Sequence, residues 1–158
     1  MTKLRNHIHD LNRQVPGHSL AIFRIFFGLV GFVSAARIML YGWVDTLYLE
    51  PTHHFKYLGF EWAAVPSSGV LYALYVLLAL ASLAVSAGAF FRVAMPAFFL
   101  LFTYLELLDQ TYYLNHYYFI SLCSMLMCFM PMNKVWSVDA LRAQSNDVYV
   151  KQWAISAL

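Results

Sequence analysis

The sequence predicts an all-α membrane protein with about four transmembrane helices. Of its 158 residues, 61% are hydrophobic and only 11% are charged, whereas a soluble domain carries about 25% charged residues. This composition excludes a disordered chain, a secreted disulfide scaffold and an ordinary cytosolic enzyme domain. Apolar runs of a length suited to a hydrocarbon core of about 30 Å follow one another along the chain. They occupy residues 19–44, 70–91, 93–108 and 112–130.

The first run follows a polar N-terminal segment, residues 1–18, and contains two arginines. That segment is not a signal peptide, because the apolar residues begin only at Leu20 and continue too far. Arg24 lies one turn inside the run, so we expect its side chain to snorkel to the lipid headgroups. Arg37 lies deeper, and we expect it to face protein or a water-filled cavity.

The next two runs carry signals about packing. Small residues recur at four-residue spacings in the second run, at Ser82, Ala84, Ser86 and Gly88. This pattern predicts that helix backbones approach closely within the bundle. Pro96 falls in the first turn of the third run, where its missing N–H costs least.

The distribution of basic residues predicts the orientation of the chain. The loop between the first and second runs holds only Lys56, whereas the other basic residues outside the runs fall on the opposite side. By the positive-inside rule, both termini are therefore expected in the cytoplasm. The residues on that side are Lys3, Arg5, Arg13, Arg92, Lys134, Arg142 and Lys151.

Two segments on the predicted outer side contain the unusual chemistry. The loop 48–62 holds His53 and His54 among five aromatic residues. It is either an interfacial loop in the headgroup belt or part of the wall of a site. The turn 105–119 holds acids, amides and an imidazole, and such groups near membrane depth are candidates for function. They are Glu106, Asp109, Gln110, Asn115 and His116, with Tyr112 and Tyr113 between them.

The same turn also permits a purely structural interpretation, in which these polar side chains form a network that fixes the hairpin. Asn115 and His116 lie about one turn into the fourth run, so we expect them to point into the bundle. His53, His54, Asp109 and His116 could supply enough ligands for a metal, but their spacing matches no ligand motif, and no metal is predicted. A net charge of +2 without a basic stripe predicts no nucleic-acid partner.

Taken together, four stretches resemble the amino-terminal membrane part of the vitamin K-dependent gamma-carboxylase family, also called the HTTM (horizontally transferred transmembrane) group. The third and fourth stretches, in this order and separated by one span, are the specific ones. The stretches are SLAIFRIFFGL (19–29), HHFKYLGFEW (53–62), LLDQTYYLNHYY (107–118) and FMPMNKVWSVDAL (129–141). The second stretch is more similar to the bacterial branch than to the animal enzymes.

The resemblance implies a reaction, in which the oxidation of vitamin K hydroquinone to its epoxide is coupled to carboxylation of a protein glutamate. The first deprotonation is assigned to a lysine in the family stretch LLD-Lys-T, and this chain has Gln110 at that position. An amide cannot act as a base near neutral pH, so Gln110 can only hold a ligand by hydrogen bonds. His116 has the intrinsic pKa range of a substitute base. The resemblance therefore implies that carboxylation is impaired.

Family members continue through further helices, so residues 19–158 are expected to form a truncated HTTM-like domain, as a fragment or as a truncated gene product. Vitamin K hydroquinone or another quinone is the implied cofactor, and a glutamate-containing protein is the implied substrate. The alternative is a non-enzymatic membrane protein that binds a quinone, a lipid-like ligand or partner helices.

Two roles are open for Arg37. It is a candidate partner for an anion or carbonyl of a ligand, or it forms a structural ion pair with Glu106 or Asp109. The expected location is a multi-pass position in the bacterial inner membrane, or in the endoplasmic reticulum of a eukaryote.

Overall fold

A computed structural model describes residues 12–144 and 148–157 of the chain. The fold is mostly helical, with one two-stranded antiparallel ribbon. The main helices are α1 (His18–Leu40), α2 (Ser68–Ala87), α3 (Phe91–Glu106) and α4 (Asn115–Cys128), and the short ones are α5 (Val138–Arg142) and α6 (Gln152–Ser156). The ribbon pairs β1 (Gln14–Pro16) with β2 (Tyr149–Lys151), and so brings the two ends of the described chain together.

Two of these helices, α1 and α2, are long and apolar enough to cross a membrane. The four predicted runs all contain a helix, but α1, α2 and α4 are shorter than their runs, and α3 is as long as its run and begins two residues earlier. At about 1.5 Å per residue, α3 extends about 24 Å and α4 about 21 Å, less than the hydrocarbon core of about 30 Å. The largest departure from the predicted runs is the connection between α3 and α4, which covers residues 107–114 instead of 109–111.

The boundaries of the runs move for local reasons. The first run ends as a helix at Leu40 because Gly42 turns the chain with φ of 68°, after which Asp45–Leu49 form a π-helical turn. The fourth run begins as a helix only at Asn115, because Gln110–Tyr112 first form a 3-10 turn. The Asp109 carboxylate caps this turn by accepting a hydrogen bond from the Thr111 N–H at 2.9 Å.

The four main helices pack in series, with α1 against α2, α2 against α3 and α3 against α4. The predicted close packing of small residues is confirmed within the bundle. Gly28 of α1 lies directly on the α2 backbone, and a Cβ added there would be 2.5 Å from the Ser86 nitrogen and 2.6 Å from the Ser82 oxygen. Gly88 then ends α2 in the left-handed conformation, with φ of 63°.

The expectation that Arg24 snorkels to the headgroups is wrong. Its side chain is 0% exposed, and its guanidinium donates hydrogen bonds to the carbonyls of Met132 at 2.6 Å, Val135 at 3.2 Å and Trp136 at 2.6 Å. A fork of five N–H donors can satisfy several carbonyls of one irregular segment at once, and this compensates for burial of the charge. Arg24 thus fixes the segment 131–137 to the start of α1.

Candidate functional site

A cavity of about 570 Å³ lies between the four main helices. Its volume falls within the range of small-molecule sites, which are mostly apolar with a few polar groups. Its apolar wall includes Phe27, Phe98 and Phe102, which contact one another with ring centroids 5.3 and 5.6 Å apart. Phe26 of α1 and Phe119 of α4 also line the cavity and are exposed, so its mouth lies between these two outer helices.

One end of the cavity is polar. Glu106, the last residue of α3, lines it together with Asp109 and Thr111 of the following turn. Tyr48 lies at the same end, and burial raises the pKa of its hydroxyl to about 12. The Tyr48 hydroxyl therefore remains protonated at neutral pH and can donate a hydrogen bond. Because no Lys or Arg of the described chain lines the cavity, this end combines carboxylates with neutral donors.

Asp109 is the most constrained of these groups. Its side chain is only 3% exposed, and its Oδ2 lies 2.9 Å from Nδ1 of His54 while its Oδ1 accepts from the Thr111 N–H. Burial by itself raises the pKa of Asp109, but the hydrogen bonds from Thr111, His54 and Phe55 outweigh it and hold that pKa below its ordinary value. Asp109 is therefore ionised at neutral pH and favours the His54 tautomer that donates from Nδ1.

The loop after the π-helical turn is joined to the turn 107–111 by one backbone hydrogen bond and by the side chain of Lys56. The Gln110 N–H donates to the Phe55 carbonyl at 2.8 Å. Lys56 Nζ donates to the Ala63 carbonyl at 2.5 Å and to the Leu108 carbonyl at 3.3 Å. The loop 53–63 and the turn 107–111 thus form one unit, although no residue of 53–63 belongs to the cavity lining.

The predicted site residues fall into two groups. Four of them line the cavity: Glu106, Asp109, Tyr112 and Tyr113. His54 does not line it but is hydrogen-bonded to Asp109. The others lie outside the lining: His53 packs on Phe55, Arg37 lies exposed with its guanidinium 5.3 Å from the Trp43 ring, and Gln110, Asn115 and His116 are exposed. Within the described residues, Asp109 pairs with His54, and Arg37 forms an ion pair with neither Asp109 nor Glu106.

The expectation that Asn115 and His116 point into the bundle is wrong, because α4 begins at Asn115 rather than near residue 112. Both residues therefore lie in its first turn, at the end of the bundle, where His116 contacts the Tyr117 ring at 4.5 Å. Sequence reasoning also missed Tyr48, Thr111 and Trp43 as lining residues. The signal for these two aromatic residues was their position at the membrane interface, since Trp43 lies at the end of the first run and Tyr48 lies just after it.

Other chemistry is not assembled in the part of the chain that the structure describes. There, no three His, Cys, Asp or Glu side chains are grouped so that they could hold a metal ion. Cys123 and Cys128 are both free thiols, and Cys123 lines the cavity.

No solved structure matches the chain. The family model of the HTTM domain matches residues 12–158, which include all four of the stretches on which the resemblance was based. The chain therefore belongs to the HTTM domain family, the membrane region of vitamin K-dependent carboxylase-like proteins.

Proposed function

We propose that this chain is the membrane-embedded part of a vitamin K-dependent carboxylase-like protein, and that its cavity binds a quinone or another flat, lipid-like ligand. The observation that carries the proposal is the division of the cavity into an aromatic part and a polar end. A ring system with an isoprenoid tail has the same division, since its oxygens need hydrogen-bond partners and the rest needs apolar contact.

The residues present fit such a ligand. Phe27, Phe98 and Phe102 offer ring faces and edges for an aromatic nucleus. Tyr48 offers a donor to a carbonyl oxygen, and Glu106 offers an acceptor to a hydroxyl. When bound, reduced vitamin K supplies the electrons for the family reaction. The tail would leave through the mouth between α1 and α4, where Phe26 and Phe119 are exposed.

We further propose that α1 to α4 all cross the bilayer and that both termini lie in the cytoplasm. The short α3 and α4 can do so if the turn 107–114 lies at membrane depth, because irregular backbone is tolerated there when protein covers it. The Gln110 N–H donates to the Phe55 carbonyl and Lys56 Nζ donates to the Leu108 carbonyl, and these two hydrogen bonds hold the loop 53–63 against the turn as such cover. The expected location is a multi-pass position in the bacterial inner membrane, or in the endoplasmic reticulum of a eukaryote.

We propose that glutamate carboxylation, the family reaction, is impaired in this chain. Gln110 supplies no base, and its exposed side chain is not part of the cavity lining, whereas Asp109 and Thr111 on either side are. His116, the candidate substitute, is exposed as well. These two placements favour the second candidate function, a non-enzymatic protein that binds the ligand or a partner.

Ligand binding can be tested with menadione, a tail-less naphthoquinone that quenches tryptophan fluorescence. Trp43 lines the cavity, so saturable quenching that disappears in Trp43→Phe is expected. Ser34→Phe places a ring in the cavity and should weaken binding at least tenfold, whereas Glu61→Gln, in the exposed loop, should bind as the wild type does. Quenching that never saturates, or that is unchanged in Ser34→Phe, would refute the proposed site.

The enzymatic part is tested separately, in purified protein supplied with reduced vitamin K, oxygen, carbon dioxide and a glutamate-containing peptide. No epoxide formation is expected from the wild type or from Thr52→Lys, which adds a lysine to the exposed loop. Epoxide from Gln110→Lys would show that the missing lysine by itself causes the impairment. Epoxide from the wild type would refute the impairment. In that case, loss of epoxide in His116→Ala but not in Gln110→Ala would identify His116 as the base.

A further inference from the structure

At the end of the bundle opposite the polar end of the cavity, two large aromatic residues have an unusual backbone. Phe90 and Trp136 have φ of 47° and 48°, in the left-handed region that bulky side chains rarely adopt. Their side chains are nevertheless 64% and 60% exposed. Such a conformation persists only when the surrounding structure imposes it, and it is concentrated at functional positions.

The surrounding hydrogen bonds do impose it. Asp139 accepts from the N–H groups of Phe90 at 2.7 Å and Phe91 at 2.9 Å, and Arg24 draws the Trp136 carbonyl inward at 2.6 Å. Both backbones are thus held from inside the protein while both rings lie on its surface. Leu141, in the adjacent helix α5, is 79% exposed and extends this apolar surface.

Two arginines of this region are exposed, and the Trp136 ring packs edge-on against His18 with ring centroids 5.1 Å apart. The Arg142 guanidinium lies 4.4 Å from the centre of the Phe90 ring, and Arg92 is exposed two residues further along the chain. The acid of this region, Asp139, is engaged by two backbone N–H groups and by Asn133 Nδ2 at 3.2 Å. Hydrogen bonding holds its pKa below the ordinary value despite burial, so it stays an acceptor for the protein itself. Among the residues that the structure describes, the outward-facing charge of this surface is therefore positive.

We propose that this surface, formed by Phe90, Arg92, Trp136, Leu141 and Arg142, binds the headgroups of anionic phospholipids in the adjacent leaflet. Aromatic rings insert at the level of the headgroups, and guanidinium groups match the geometry of a phosphate. The charge of the opposite end supports this choice of ligand, because its exposed loops carry Glu50 and Glu61. Arg37 is an exposed cation at that end, but the two exposed acids outnumber it, so among the described residues the two leaflets meet ends of opposite net charge. This inference does not depend on the cavity or its ligand.

The test uses the full chain in phosphatidylcholine nanodiscs that contain brominated lipid, which quenches nearby tryptophan. The signal from Trp136 is the difference between the wild type and Trp136→Phe. At equal mole fraction, brominated phosphatidylglycerol should quench Trp136 at least twice as strongly as brominated phosphatidylcholine. High salt should reduce this preference because it screens the contact.

Matched variants locate the preference. Replacing both Arg92 and Arg142 with Gln should abolish it, whereas Arg37→Gln, which removes an exposed cation at the other end of α1, should leave it unchanged. Equal quenching by the two lipids in the wild type would overturn the proposal, and so would a preference that survives in the double variant. If the double variant does not fold, the number of phosphatidylglycerol molecules retained by the wild type and by Arg142→Gln in native mass spectrometry decides, and equal retention would overturn the proposal.

Discussion

The close contact between α1 and α2 predicts that Gly28 cannot be replaced by a larger residue without a loss of stability. A Cβ there would lie 2.5 Å from the Ser86 nitrogen, 2.6 Å from the Ser82 oxygen and 2.7 Å from the Ser86 Cα. All three atoms belong to backbone, so no side-chain rotation can relieve the overlap. The helices must separate by roughly 1 Å, and overpacking of this kind costs about 1–3 kcal/mol. Gly28→Ala should lower the free energy of unfolding by that amount.

The same chain offers a matched control. Gly69 lies in the first turn of α2, and a Cβ added there meets nothing within 4 Å. Gly69→Ala should therefore raise the free energy of unfolding by up to about 1 kcal/mol, the helix preference of alanine over glycine. Unfolding in a titration from mild detergent into dodecyl sulfate, followed by circular dichroism, measures both variants. A Gly28→Ala protein as stable as the wild type would refute the close approach of the two helices.

Three further changes probe the ends of the bundle. Arg24→Met should cost about 3 kcal/mol and make the segment 131–137 sensitive to protease, because three carbonyls lose a charged donor; resistance equal to the wild type would contradict the role of Arg24. Gly88→Ala should destabilise the protein in the same detergent titration, because φ of 63° disfavours a side chain and the added Cβ would meet Ser137; unchanged stability would count against that turn. The lowered pKa of Asp109 means that its contribution is present above its unfolded pKa and is lost as the pH falls through the folded value. Thermal stability should therefore fall below about pH 4 in the wild type, and Asp109→Asn should be less stable near neutral pH but show a smaller acid loss; parallel pH curves would contradict this.

The helices were predictable from the sequence because apolar length is a direct requirement of the bilayer, and each predicted run does contain a helix. The small residues Ser82 and Ser86 likewise predicted close packing, since only small side chains permit it. The ends of the runs were less predictable. Gly42 in the left-handed conformation and the 3-10 turn at Gln110–Tyr112 depend on local hydrogen bonds that hydropathy does not register.

The site was predictable as a set of residues but not as a geometry. Asp109 and His54 were singled out separately, and their contact across 55 positions in the chain was visible only in the fold. His116 was expected one turn inside the fourth run, but α4 begins only at Asn115, so His116 lies in the first turn of the helix, at the exposed end of the bundle. Arg24 was misjudged for a related reason, since its partners are carbonyls of a segment more than 100 residues away.

The four stretches that carry the family resemblance meet in pairs at the two ends of the bundle. At one end Arg24, from the first stretch, binds the carbonyls of Met132 and Trp136 in the fourth. At the other end His54 of the second stretch binds Asp109 of the third. Apolar residues within a span can replace one another at modest cost, whereas a buried charge tolerates the loss of its partner poorly. We therefore expect substitutions that break either of these two contacts to cost more stability than exchanges of apolar residues within the spans.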